Sequence, residues 1–289
     1  MNDPNKKWPI GVFASVDKEL GVVLDLACEV GVGTIHLRAP SRRARSVEAT
    51  SELSQRLLSL GLKVTVVFAG FEGENYADLP TVKQTVGLVP ASTRQERLAE
   101  LKSIIDFTQL LEVDAIGLHL GFIPHNAAAP EFAALVETMS DVCQFAEKKG
   151  IHVHLETGQE PADVLLEFLR AVDRQNLFVN FDPANMILYG SGEPISALRK
   201  IGQYLRSVHC KDANWSDRPG ETWGREMPLG EGAVDFAEYL QTLDFLGYTG
   251  PLTIEREIPC EPERQRAEIV RAIDLLNEVK TGLPERRAH

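Results

Sequence analysis

The chain has 289 residues, 44% of them hydrophobic and 25% charged, and Lys+Arg at 30 against Asp+Glu at 42 gives a net charge of −12. That length suits one (β/α)₈ barrel of ~250 residues and demands no second domain, so residues 1–289 are expected to fold as a single unit. The acidic balance opposes non-specific binding to nucleic acid or anionic lipid, and no run approaches the ~20 apolar residues needed to span a bilayer.

The opening MNDPNKKWPIGVF has two lysines but no apolar run after them, so no signal peptide is expected. Cys28, Cys143, Cys210 and Cys260 lack CxxC spacing, which argues against a zinc ribbon or a disulfide framework and suits a reducing compartment. The expectation is a cytoplasmic protein acting on a small molecule, with neither nucleic acid nor membrane as partner.

In chain order, β-rich runs fall at 9–15 (PIGVFAS), 34–39 (TIHLRA), 63–69 (KVTVVFA) and 115–121 (AIGLHLG). Four more follow at 152–158 (HVHLETG), 177–183 (LFVNFDP), 206–212 (RSVHCKD) and 251–257 (PLTIERE). Helical periodicity fills 17–30, 47–60, 92–112, 130–149, 161–173, 194–204, 234–247 and 262–280. Gly61, Gly150 and Gly247 stand where helices should stop before a strand. Eight strands alternating with eight helices predict an α/β fold of parallel strands, and a closed TIM barrel rather than an open doubly wound sheet, since no GxGxxG follows the first strand. Two long loops, roughly 70–91 and 213–233, lie on the C-terminal side, where barrel enzymes build their sites.

Side chains alternate along a strand, so parity sorts inward from outward positions. It places His36 and Arg38, His119, His152, His154 and Glu156 inward, followed by Asn180 and Asp182, His209 and Lys211, and Thr253 and Glu255. Glu156, Asp182, His209 and Glu255 thus converge at the C-terminal ends of four adjacent strands. Three buried carboxylates together cost many kcal/mol unless a cation neutralises them. One divalent ion is the expected cofactor, and the mixed oxygen and nitrogen set suits Mn²⁺, Mg²⁺, Co²⁺ or Fe²⁺ better than a closed structural Zn²⁺ site. His125 is expected on the surface, and Arg256 and Cys210 point away from the barrel axis. His154 lies one layer deeper than Glu156.

The stretches HLETGQE (154–160), NFDPANM (180–186), VHCKDA (208–213), PLGEGAVDF (228–236) and LGYTGPLTIERE (246–257) resemble the xylose isomerase-like barrels, which include sugar-phosphate isomerases and ketose 3-epimerases. The resemblance implies that Glu156, Asp182, His209 and Glu255 are the metal ligands and that Glu156 and Glu255 exchange protons with a carbohydrate substrate through an enediolate. It also implies homo-oligomers, although no interface is legible. His36, His119, Asn185, Lys211 and Arg218 are expected to line the substrate pocket. Asn185 and Trp215 stand where the ketose epimerases carry a His and an Arg. That departure keeps a lyase, expelling a leaving group beside a 3-oxo group, as the alternative to an isomerase or epimerase. An apurinic-endonuclease-like hydrolase needs more histidines and a basic face, and a binding protein has no need of buried carboxylates. The glycines of PLGEGAVDF are read either as donors to a bound anion or as a plain turn.

Overall fold

In this computed structural model, residues 7–17, 20–258 and 261–283 are described. The alternation of apolar and polar residues produces eight parallel strands: β1 (Ile10–Ser15), β2 (Thr34–Arg38), β3 (Lys63–Phe68), β4 (Ala115–Leu118), β5 (His152–Glu156), β6 (Leu177–Phe181), β7 (Leu205–Cys210) and β8 (Leu252–Ile254). Each pairs with its neighbours in sequence order, and β8 returns to β1 with Ile10 opposite Leu252 and Val12 opposite Ile254. The sheet therefore closes and leaves no edge to protect.

Ten helices surround it among the described residues: α1 (Leu24–Glu29), α2 (Val47–Ser59), α3 (Leu79–Thr85), α4 (Arg94–Leu110), α5 (Pro130–Glu147), α6 (Ala162–Val172), α7 (Pro183–Tyr189), α8 (Pro194–Ile201), α9 (Phe236–Phe245) and α10 (Pro262–Gly282). The outward residues Val153, Leu155, Val179, Phe181, Val208, Cys210, Leu252 and Ile254 are buried in one apolar layer with helix residues such as Leu101, Leu135, Phe168 and Leu240. Burial of each such side chain is worth ~1.5–3 kcal/mol. Gly61, Gly150 and Gly247 do end helices, all three with the positive φ that a Cβ disfavours.

Three expectations are corrected. The helix expected over 17–30 is only α1, because Gly21 at φ 74° breaks the run and Val22–Val23 instead extends the sheet beside β1. Lys18 and Glu19, within that span, lie outside the described residues, as does Cys260. The loop after β3 contains α3, whose start is capped by Asp78 accepting from the Thr81 N–H at 2.7 Å. The segment after β6 forms two helices, because Asp182 and Glu193 each cap a separate start.

The loop after β7 folds as an antiparallel ribbon, Asp212–Asn214 against Arg225–Met227. Its return is held by one buried carboxylate. Asp212 Oδ1 accepts from the N–H groups of Ala213 and Val234 (2.9 and 3.1 Å), and Oδ2 from those of Gly230 and Gly232 (both 2.9 Å). The PLGEGAVDF glycines thus turn their donors onto the chain's own anion, and a Cβ on Gly232 would overlap it. Asp212→Asn swaps one acceptor for an NH₂ group facing backbone donors. We expect it to cost about 2–4 kcal/mol in urea unfolding; an unchanged midpoint would contradict this account of the loop.

Candidate metal centre

The strand ends of β5 to β8 deliver four side chains to one point. A ligand atom from each of Glu156, Asp182, His209 and Glu255 lies within 4.8 Å of the others, and all four residues are buried. It is the one such group among the described residues. His209 Nδ1 is its hub, 2.7 Å from Glu156 Oε1, 3.1 Å from Glu255 Oε2 and 3.8 Å from Asp182 Oδ2.

These side chains are aimed by specific local contacts. Asp182 divides its carboxylate: Oδ1 accepts from the Asn185 N–H at 3.0 Å and caps α7, while Oδ2 is buried with no hydrogen bond. The Thr157 hydroxyl ties the end of β5 to β6, donating to the Asp182 carbonyl at 3.0 Å and accepting from its N–H at 2.8 Å. The β6–β7 register shifts just before Asn180, whose side chain lies 3.1 Å from His209 Nδ1. Irregularities of this kind re-aim side chains near sites.

His209 Nε2 faces down the barrel, 3.0 Å from His36 Nδ1. Burial, followed by the charge of His209, holds His36 well below the ordinary histidine range, so it stays neutral and can accept. With Nε2 donating to His36, His209 would offer Nδ1 to a metal once that nitrogen gives up its proton, the arrangement that orients imidazole ligands elsewhere. Phe13 and Phe68 wall the ring, with centroids 5.7 and 4.9 Å from it. His154 lies deeper still, 2.8 Å from Ser207 Oγ, and burial depresses its pKa to about 3.

The charges record what such a cluster needs. Burial lowers the basicity of His209, yet Glu255 and Glu156 outweigh it and lift the pKa to about 10. Burial pushes Asp182 well above the carboxylate range, against the pull of Lys211. Burial also opposes ionisation of Glu255, but Lys211 and His209 hold it well below its ordinary value. One proton shared by an imidazole cannot satisfy three carboxylates, and Asp182 Oδ2 and Glu255 Oε2 are left buried without a hydrogen bond. Three oxygen donors, one nitrogen and two orphaned oxygens fit a divalent cation.

Above the quartet opens a cavity of about 540 Å³. Glu156 and Glu255 reach its surface, whereas Asp182 and His209 do not. Of the expected pocket residues, His119, Asn185 and Lys211 line it. His119 Nε2 is 3.1 Å from Glu156 Oε2, and Asn185 Nδ2 donates to Glu156 Oε1 at 3.2 Å. Lys211 pairs with Glu257 and lies 3.5 Å from Glu255 Oε2. Two of the expected residues do not line the cavity. His36 is 1% exposed beneath His209 and has no face on the cavity, because it sits one layer too deep. Arg218 lies on the ribbon loop, 67% exposed and 3.3 Å from Glu221. Tyr189, Trp223, Glu226 and Glu257 line the wall without having been foreseen. Glu257 shares the parity of Glu255 and was legible; Trp223 and Glu226 come from a loop with no period to read. Gln159, in the HLETGQE stretch, bridges His119 Nδ1 and the Tyr189 hydroxyl, each at 3.2 Å.

The family model described as xylose isomerase-like TIM barrel matches residues 24–279. A xylose isomerase domain protein from Planctomyces limnophilus superposes with a TM-score of 0.93 at 49% identity, over 95% of this chain and 98% of that one. An L-ribulose 3-epimerase from a Methylomonas species is 31% identical over 147 residues, 47% of this chain and 46% of that protein. An inosose dehydratase from Clostridium beijerinckii is 25% identical over 142 residues, 44% of this chain and 47% of that protein. The chain spans about half the length of these two curated relatives. Among the described residues, no helix is long and apolar enough to cross a membrane.

Mn²⁺ at about one hundred times its Kd should stabilise the fold by about 2.7 kcal/mol, read as a rise in Tm that Asp182→Asn abolishes. Because His209 keeps its proton up to about pH 10 without metal, ligation through Nδ1 must expel that proton. Because burial raises the Asp182 carboxyl as well, metal affinity should rise at least about tenfold per pH unit near neutrality, with one proton or more released per ion in calorimetry across buffers. Binding that is independent of pH would contradict this assignment.

Proposed function

We propose that this chain, which belongs to the xylose isomerase-like TIM barrel family, is a divalent-metal-dependent sugar isomerase or epimerase acting on a keto-sugar. The observation that carries the reading is the division within the quartet. Glu156 and Glu255 alone among the four reach the cavity, and both converge on His209 Nδ1. They are the two placed to touch a substrate.

The two carboxylates are not equivalent. Glu156 is held on three sides, by His209 and Asn185 at Oε1 and by His119 at Oε2. Glu255 Oε2 has no hydrogen bond and stays ionised beside Lys211. Glu255 is therefore assigned the removal of a proton from the carbon next to the substrate carbonyl. Glu156, with His119 against it, is assigned the return of a proton from the opposite face, to the same carbon in an epimerase or to its neighbour in an isomerase. Asn185, His119 and Lys211 offer N–H donors to substrate oxygens along the same wall. A divalent ion held by Glu156, Asp182, His209 Nδ1 and Glu255, for which Mn²⁺ is the favoured candidate, would polarise the carbonyl and its adjoining hydroxyl.

A lyase is the second reading, favoured by what stands at two positions. Asn185 supports Glu156 and cannot act as an acid, and Trp215 is 40% exposed rather than aimed as a cation at a sugar oxygen. In that reaction Glu255 takes the proton beside the carbonyl, a C–O bond on the next carbon breaks, and Lys211 protonates the departing oxygen.

Deuterium uptake from D₂O by ketoses and 3-oxo-glycosides, followed by NMR with Mn²⁺ present, tests both. Glu255→Gln should lower exchange by about 10²–10⁴-fold, and an epimer or a dehydrated product then separates the two reactions. Full exchange in Glu255→Gln would overturn the assignment of the base.

A further inference from the structure

Besides the quartet and His119, which lies against Glu156, the cavity wall carries five side chains whose charges could meet a substrate: Arg38, Glu74, Lys211, Glu226 and Glu257. Four have partners within the protein. Glu74 accepts from the N–H groups of Phe71 (3.0 Å) and Gly87 (2.9 Å). Glu226 accepts from Arg256 (2.6 Å) and from the Glu257 N–H (3.0 Å), and Glu257 pairs with Lys211. Among the described residues, the Arg38 side chain makes no hydrogen bond and no ion pair, and the residue is half-buried.

Its position is built. Arg38 ends β2, two residues beyond His36, so it stands roughly 7 Å nearer the mouth than the histidine that supports His209. Its guanidinium lies over Gly70, where a Cβ would overlap it. Gly70 is not at positive φ, so its backbone does not require glycine there; the guanidinium does. Arg38 and Phe71 also form the partition between this cavity and a neighbouring one of about 570 Å³.

We propose that Arg38 is a specificity-determining residue that binds a carboxylate at the end of the substrate remote from the reacting carbon, so that the substrate is an acidic keto-sugar. The inference rests on the isomerase-or-lyase reading of the same site. An unpaired guanidinium facing a cavity lacks the counter-charge that half-buried arginines normally have, and its planar fork matches a carboxylate with two parallel hydrogen bonds. A phosphate dianion fits poorly. No second free cation stands on the wall among the described residues, since Lys211 is already shared by Glu255 and Glu257. Glu74, Glu226 and Glu257 would repel the additional negative charge.

The test measures kcat/KM for deuterium exchange in the Mn²⁺-loaded protein with D-fructuronate and D-tagaturonate, against D-fructose, D-tagatose and D-fructose 6-phosphate. The uronates should exceed the neutral and phosphorylated ketoses at least about tenfold. That ratio should collapse toward unity in Arg38→Met and recover in part in Arg38→Lys. Gly70→Ala retains the arginine but displaces its guanidinium, and should lower the ratio as well. A preference for neutral or phosphorylated ketoses, or a ratio indifferent to Arg38, overturns the inference and leaves the enolisation reading standing. If no ketose exchanges, that reading fails, and calorimetry with methyl β-D-glucuronide and methyl β-D-glucoside decides the inference separately. Tighter binding of the glucuronide that is lost in Arg38→Met supports it; equal or absent binding overturns it.

Discussion

Three carboxylates buried around one imidazole set the terms for the rest of this structure. A lone carboxylate in a protein interior gives up its charge or acquires a partner. Here Glu156, Asp182 and Glu255 gather on His209 Nδ1, a single atom that can carry at most one proton. The cluster is therefore short of positive charge, and its unsatisfied oxygens, Asp182 Oδ2 and Glu255 Oε2, show where the shortage falls. Lys211 relieves it in part from the cavity side, 3.5 Å from Glu255. A divalent cation would relieve the remainder.

The surrounding fold keeps the cluster from relaxing. Strands on a closed barrel cannot splay apart, and the ends that carry ligands are cross-tied by the Thr157 hydroxyl and by the Asp182 cap on α7. Beneath, His36 and the Phe13 and Phe68 rings leave His209 one orientation. Beyond β7, Asp212 gathers four backbone donors and sets the return of the ribbon that carries Glu226 and Trp223 to the mouth. Positioning is thus built in before any ligand arrives, which is what the proposed proton transfer at a defined carbon demands.

Much of this was legible in the sequence because strand parity is a strong signal. The alternation in HVHLE, VNFD, SVHC and LTIE sorts the apolar layer from the interior and brings Glu156, Asp182, His209 and Glu255 together from the residues alone. Parity does not report depth. His36 points inward as parity predicts, yet it lies below His209 rather than on the cavity wall. Loops carry no period at all, so the resemblance to epimerases with an Arg in this loop points Arg218 toward the pocket, while the structure leaves it turned to solvent. The helical pattern over 17–30 runs across Gly21, whose positive φ breaks the helix there. The glycines of PLGEGAVDF posed a different problem. Their donors do serve an anion, but its identity as Asp212 depends on a contact across 18–22 residues that spacing cannot reveal.

The central claim is that one cation sits between these four side chains with His209 bound through Nδ1. Anomalous diffraction at the manganese edge from crystals grown with Mn²⁺ tests it most directly. The account predicts one strong peak in contact with Glu156, Asp182, Glu255 and the Nδ1 atom of His209, with Nε2 still against His36. A peak elsewhere, or His209 turned to ligate through Nε2, would contradict it.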